Sequence, residues 1–266
     1  MTELTDKKSA RVVAFIQARM GSTRLPGKVL MPLLEKPMLS YIVERLKKAE
    51  LVDEIVVATS ERPENDKIRE FCKKNSISCF SGSEDNVLDR FYKAAKENHA
   101  DIVIRVTGDC PLIDPQLVGK LVKFFLENEY EYISLATGAG VANEEFKGCR
   151  FPDGTDTEVF NFEVLEIAWK EAKEALETEH VTPFIWKRPE RFKLYSYKSD
   201  VDYSQMRWVV DNKEDFEFIE AIYKALYPKN PNFGMNDVLD FLKRNPILLE
   251  KNKHFVGSEG YEEFWK

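Results

Sequence analysis

The sequence predicts an α/β fold: a doubly wound, mostly parallel sheet covered by helices on both faces, with a short helical C-terminal tail. Two observations carry that expectation. Runs rich in valine and isoleucine alternate with amphipathic stretches of helical period, the pattern of βαβ units. The residues just after each run are polar, as expected where strands of such a sheet end in a ligand site.

The elements follow in order. Residues 12–18 read as the first strand, and 37–48 as an amphipathic helix with Leu39, Ile42, Val43 and Leu46 at helical spacing. A strand at 54–60 and a helix at 64–75 come next, then a short strand at 77–83 and a helix at 86–98. The run 101–109 is a strand, and the helix 115–128 opens on Pro115, where a missing N–H is tolerated. "YEYISLA" closes this half. A glycine-rich stretch over 137–160 leads to a helix at 162–176, a strand in "RFKLYSYKS", another at 206–210 and a helix at 213–227. The remainder holds a small helix, "MNDVLDFLKRN", and a polar tail. No repeat, low-complexity tract or linker divides the chain. One domain is expected over 1–266, with its core at about 11–225 and an appendage over 226–266.

Composition narrows the function. A chain of 266 residues buries a proper core, and its formal net charge of -7 argues against a broad nucleic-acid surface. No segment approaches the roughly 18–20 apolar residues that span a bilayer, so no membrane partner is expected. The N-terminal apolar run is too short for a signal-peptide core. Cys72, Cys79, Cys110 and Cys149 lack any C-x-x-C spacing and read as reduced thiols, which makes a cytoplasmic location the expectation.

Against that acidic balance, the stretch from Lys7 to Leu34 contains Lys7, Lys8, Arg11, Arg19, Arg24 and Lys28 and no acid. Its centre, "VVAFIQARMGSTRLPGKVL", is neither G-x-x-x-x-G-K-[ST] nor G-x-G-x-x-G. Here Gly21 is expected to shape the turn while Arg19, Arg24 and Lys28 supply charge. Arginine forks match phosphate oxygens in pairs and lysine acts as a point charge. The alternative is a solvated basic loop. After the other strands come Thr59-Ser60, Ser81-Gly82-Ser83, Gly108-Asp109 and Asp211-Asn212. Asp109 and Asp211 suit Mg²⁺, which takes one or two protein carboxylates and fills its shell with water and phosphate oxygens. Each is also compatible with a helix N-cap. His180 is one of three histidines, a candidate for substrate or for a structural hydrogen bond. Asp153, Asp156 and Glu158 cluster around Gly154, where a turn and a capped strand would equally account for them. Phe91, Tyr92, Phe124 and Phe125 sit at core spacing.

"IQARMGSTRLPGKVL" resembles the first-strand motif of the cytidylyltransferases that make CMP-activated acidic sugars, such as the CMP-Kdo synthetases. "FSGSEDNVLDRF", "RVTGDCPLID", "FPDGTDTEVF", "EHVTPFI" and "RWVVDNKEDF" follow in the order of the SpsF-like branch of that group, the spore coat polysaccharide biosynthesis branch. The resemblance runs from about residue 11 to 225. It implies a Rossmann-like nucleotidyltransferase fold of the nucleotide-diphospho-sugar transferase type, CTP as donor, Mg²⁺ as cofactor, release of pyrophosphate and a homodimer, with 137–160 a candidate contact. By position, Ala18, Arg19, Gly21, Ser22, Arg24, Lys28 and Thr59 would hold the nucleotide, with Arg90 and Thr107 at its base or ribose. Asp109 and Asp211 would hold the metal and share catalysis with Arg19 and Lys28. Asp156, Glu158 and His180 are the acceptor-binding candidates. The implied function is transfer of CMP from CTP to an acidic sugar or similar acceptor for surface polysaccharide or glycan precursors.

Three rival readings remain open. A sugar-1-phosphate nucleotidyltransferase typically opens with a G-x-G-T-R loop, where this chain reads A-R-M-G-S-T-R. A metal-dependent glycosyltransferase needs a D-x-D pair that is missing after the fourth strand. A non-catalytic nucleotide-binding relative could have lost any of Arg19, Arg24, Lys28, Asp109 and Asp211, all of which are present.

Overall fold

A computed structural model of the chain describes residues 9–137 and 150–256. Cys149 and half of the expected dimer contact lie outside the described residues.

The apolar runs form a seven-stranded sheet. In chain order its strands are β1 (Val12–Gln17), β4 (Glu54–Ser60), β5 (Ser78–Gly82), β6 (Ile102–Thr107), β7 (Tyr132–Leu135), β8 (Glu158–Asn161) and β9 (Leu194–Tyr197). A two-stranded ribbon of β2 (Pro32–Leu33) and β3 (Lys36–Pro37) stands apart. The sheet order is β5-β4-β1-β6-β8-β7-β9, parallel throughout except for β8, which runs against both β6 and β7. The chain leaves β1 toward β4 on one side and returns to β6 on the other. The switch point therefore lies between the carboxyl ends of β1 and β6, where such sheets open a crevice.

Alternate residues of β1 feed two cores. Val12, Ala14 and Ile16 pack with helices α1 (Met38–Leu46), α2 (Asp66–Lys74) and α4 (Pro115–Glu127) on one face. Val13 and Phe15 pack with α3 (Val87–Glu97), α5 (Phe162–Glu171) and α7 (Pro183–Trp186) on the other. A third core joins Leu33, Met38 and Tyr41 to Trp208, Val210, α8 (Lys213–Leu226) and α9 (Met235–Arg244).

Two expectations need correction. The helix expected over 162–176 ends at Glu171, and α6 (Ala175–His180) starts after a break. Glu174 and Glu177 form a capping box there, which favours a new helix start over continuation. The run 206–210 is not a strand of the sheet: only Arg207 forms a bridge, to Asp153. Its alternation arises because Trp208 and Val210 are fully buried in the third core, and burial of alternate residues needs no ladder.

Candidate active site

Two loops and one extended segment meet at the switch point. The first loop leaves β1 with Ala18 buried and turns at Gly27, whose left-handed backbone (φ 73°) starts a 3-10 turn over Lys28–Leu30. Gly27, not Gly21, takes the conformation that favours glycine. The backbone N–H of Met20 donates to Asn65 Oδ1 at 2.8 Å, and Asn65 donates to Ser60 Oγ at 2.7 Å, so the end of β4 braces this loop. Ser22 Oγ accepts from Leu25 N at 3.4 Å.

The turn drives Lys28 inward. Its side chain is 9% exposed, and Nζ donates to Asp109 Oδ2 at 2.8 Å and to Asp211 Oδ1 at 2.7 Å. Burial pulls the ammonium pKa down, but the charges and hydrogen bonds of the two carboxylates outweigh it and hold the group above the usual lysine range. Asp109 follows β6, and the N–H of Val210 donates to its backbone oxygen at 2.8 Å, which fixes Asp211 beside it. Segments 81 and 183 residues from Lys28 thus deliver two carboxylates to its ammonium. Arg24 Nη2 reaches Asp211 Oδ1 at 3.2 Å from a half-exposed side chain. Arg19 is equally exposed and pairs with Glu84 Oε1 at 3.1 Å.

The sequence reading missed Arg207. Its guanidinium is 3% exposed and donates to Asp153 Oδ2 (3.2 Å), Asp211 Oδ2 (2.9 Å) and both oxygens of Asp215 (3.0 and 3.1 Å). A single arginine inside an apolar run flanked by acids was the available signal, masked by the alternation that suggested a strand. Glu84 and Asn65 were missed as well, and nothing in their spacing marks them.

At the β4–β5 end, Arg90 is buried and donates to the Ser83 carbonyl at 2.8 Å, while its Nε has no hydrogen-bond partner among the described residues. Burial pushes its pKa down to about 10. The hydroxyl of Thr59 is likewise buried, with no hydrogen-bond partner among the described residues. Burial tends to raise the Glu84 carboxyl, but Ser60, Arg19 and Arg90 leave it below the usual range. Thr107 lies at the end of β6 with its hydroxyl 3.1 Å from Cys110 Sγ.

The acceptor candidates are deeper than expected. Glu158 accepts from Arg105, from Tyr132 OH (2.5 Å) and from Thr182 Oγ1 (2.6 Å). Asp156 accepts from Thr137 Oγ1 (2.5 Å) and from the N–H of Gly154 (2.8 Å), and burial raises its pKa. All four of these carboxylate oxygens thus accept from donors of the chain itself. His180 is half-buried before Val181, whose φ of 72° and ψ of -54° form a strained turn closed by the Thr182 N–H on the His180 carbonyl (2.9 Å).

The donor set suits a hard divalent cation. Asp109 and Asp211 already share one small cation, the Lys28 ammonium, and oxygen ligands are what Mg²⁺ and Mn²⁺ prefer. Among the described residues no group of three His, Cys, Asp or Glu is arranged to hold a metal. An ion here would complete its shell with water and phosphate oxygens.

The cytidylyltransferase family model matches residues 13–251, which take in every site residue above and, Val12 apart, the buried residues of all three cores. The chain belongs to the cytidylyltransferase family. It is a nucleotidyltransferase with a Rossmann-like fold. It is 36% identical to an uncharacterized protein of Methanocaldococcus jannaschii, covering 95% of this chain and 98% of that one. It is 33% identical to the spore coat polysaccharide biosynthesis protein SpsF of Bacillus subtilis, covering 88% of this chain and 95% of that one. Among solved structures, a cytidylyltransferase from Leptospira borgpetersenii superposes with a TM-score of 0.82 at 34% identity, covering 90% of this chain and 97% of that one. This cytidylyltransferase therefore shares both fold and sequence with relatives over nearly its whole length.

Proposed function

We propose that this cytidylyltransferase transfers CMP from CTP to an oxygen of an acidic sugar or similar acceptor, releasing pyrophosphate, in the synthesis of surface polysaccharide or glycan precursors. The observation that supports it is the meeting of Lys28, Asp109 and Asp211 beneath the Arg19 and Arg24 loop at the switch point. SpsF supports the choice of pathway class through its name.

In this reading the acceptor oxygen attacks the α-phosphorus, and the bond to the bridging oxygen of pyrophosphate breaks. Arg19, Arg24 and Lys28, with Ser22 and the backbone of Ala18 and Gly21, bind the triphosphate and stabilise the charge that gathers on the leaving group. Asp109 and Asp211 would hold Mg²⁺, which when bound would supply charge neutralisation on the phosphates and a lower pKa for the attacking hydroxyl. Thr107 and Arg90 serve the base and ribose, and Thr59 the nucleotide, with Arg90 and Thr59 acting from beneath the surface. His180 lies at the acceptor side, while Asp156 and Glu158 act on the acceptor through the walls they brace. Positioning and charge neutralisation carry the rate, and no protein general base is assigned.

The test is pyrophosphate release with each of the four NTPs and Mg²⁺ across a panel of acidic sugars and sugar phosphates. Release with CTP and an acidic sugar is expected. Release with another NTP and a sugar-1-phosphate would replace this reading with the rival nucleotidyltransferase.

A further inference from the structure

The C-terminal segment reaches back to the site through one side chain. Asn252 lies between two 3-10 turns, Pro246–Lys251 and Lys253–Phe255, and is 2% exposed. Its Nδ2 donates to the backbone oxygen of Arg207 at 3.0 Å and to Asp215 Oδ1 at 3.0 Å. Asp215 is fully buried and takes the Arg207 fork on both oxygens, together with the N–H groups of Asp211 (3.1 Å) and Asn212 (2.9 Å). Arg207 in turn holds Asp211 Oδ2, so that Oδ1 is the oxygen turned toward Lys28 and Arg24 in the cleft. The Phe255 ring lies 5.9 Å from the same guanidinium.

We propose that Asn252 is a positioning residue for Asp211, an inference that rests on the cytidylyltransfer reading above. The fork on Asp215 sets the plane of the Arg207 guanidinium and leaves Nη2 directed at Asp211. Asn252 fixes that fork at two points, the Asp215 oxygen that receives Nε and the carbonyl of Arg207 itself. Without the amide, Asp215 Oδ1 keeps Arg207 Nε and loses its Asn252 donor, and the Arg207 backbone loses a tie. The Asp215 carboxylate is then braced from the Oδ2 side alone, by the N–H groups of Asp211 and Asn212, so it tilts together with the Arg207 fork it receives, and Asp211 no longer presents one oxygen in a fixed direction. Groups that orient a metal-binding carboxylate in this way are typically worth about 10–100-fold in metal affinity.

The test reads metal binding directly. Mn²⁺ is titrated into the full-length protein with no more than one equivalent of a non-hydrolysable CTP analogue, and protein-held Mn²⁺ is followed by the enhancement of water-proton relaxation, which separates it from Mn²⁺ chelated by free analogue. Wild type, Asn252→Ala and the isosteric Asn252→Asp are compared after melting curves confirm that each is folded. Both variants are expected to bind Mn²⁺ about tenfold more weakly, with analogue affinity at saturating Mn²⁺ changed by less than about threefold. A residue that merely fastens the tail would lower the melting temperature and leave Mn²⁺ affinity at the wild-type value, and that result overturns the proposal. Failure of the wild-type protein to bind Mn²⁺ with the analogue would overturn the cytidylyltransfer reading itself, and this inference with it.

Discussion

Lys28 shows how a single side chain ties sequence to chemistry. Its stem is buried by the turn at Gly27, and its ammonium pays for that burial by contacting two carboxylates drawn from distant loops. Asp109→Asn keeps the shape of one partner and removes its charge. We expect the rate of pyrophosphate release to fall by about 10² or more, with the melting temperature nearly unchanged because the side chain is partly solvated and Lys28 retains Asp211. Turnover close to wild type would remove Asp109 from the metal and phosphate machinery. His180 gives a pH prediction. Burial, assisted by the charge of Arg105, depresses its pKa below the ordinary histidine value. The folded state therefore favours neutral His180. That contribution is present above about pH 6.5 and is lost as pH falls through the lower folded value. In urea unfolding followed across pH, His180→Gln should lose less stability than wild type on the acid side and match its slope above about pH 7. Parallel curves on both sides would show that the imidazole is not held neutral.

At the scale of elements, chemistry lives where a turn forces two segments together. Gly154 has φ of +97°, and a Cβ there would lie 2.4 Å from the backbone nitrogen of Val209. Only glycine lets the 153–156 turn lie against 206–210, where the Trp208 N–H donates to the Asp153 carbonyl at 2.6 Å. Gly154→Ala should cost at least about 2 kcal/mol in denaturant unfolding and lower activity, because Arg207 and Asp211 sit on the displaced segment. A loss below about 0.5 kcal/mol would mean that the turn relaxes freely. These elements also show what the sequence could and could not reveal. Strands β1, β4 and β6 were legible because burial on both faces leaves uninterrupted Val and Ile runs, and Arg19, Lys28 and Asp109 followed from strand ends. The reversal of β8 was not legible, since its short run "EVFN" carries no mark of direction. Nor was the structural role of Asp156 and Glu158, whose partners Thr137, Arg105, Tyr132 and Thr182 come from other parts of the chain. A local window shows the acid and hides the donor that satisfies it.

For the whole molecule, the question is whether residues after 225 are an appendage, as the motif pattern suggested, or part of one cooperative unit. The third core mixes Leu33, Met38 and Tyr41 with Phe233, Val238 and Leu242, so neither side is complete alone. Polar links run the same way. Buried Arg45 donates to the carbonyls of Ile113 (2.6 Å) and Phe233 (2.9 Å), Asp114 caps α4 and also accepts from Met235 N (2.5 Å), and Tyr223 OH donates to the Pro111 carbonyl (2.6 Å). Three of these ties act on the 109–114 loop that carries Asp109, so the C-terminal helices stabilise the same loop that forms the site. Phe233 is 1% exposed, with Arg45 stacked 4.6 Å from its ring and Tyr223 edge-on at 5.2 Å. Truncating it to alanine should cost about 3–5 kcal/mol. If the chain is one unit, tryptophan fluorescence and far-ultraviolet circular dichroism will shift together to a lower denaturant midpoint with an unchanged slope. If the tail is an independent appendage, the main transition will stay at the wild-type midpoint while a small early transition separates from it. The shared core favours the first outcome, because a cavity under Phe233 opens against Tyr223, which the same cluster holds against Tyr41 and the body of the domain.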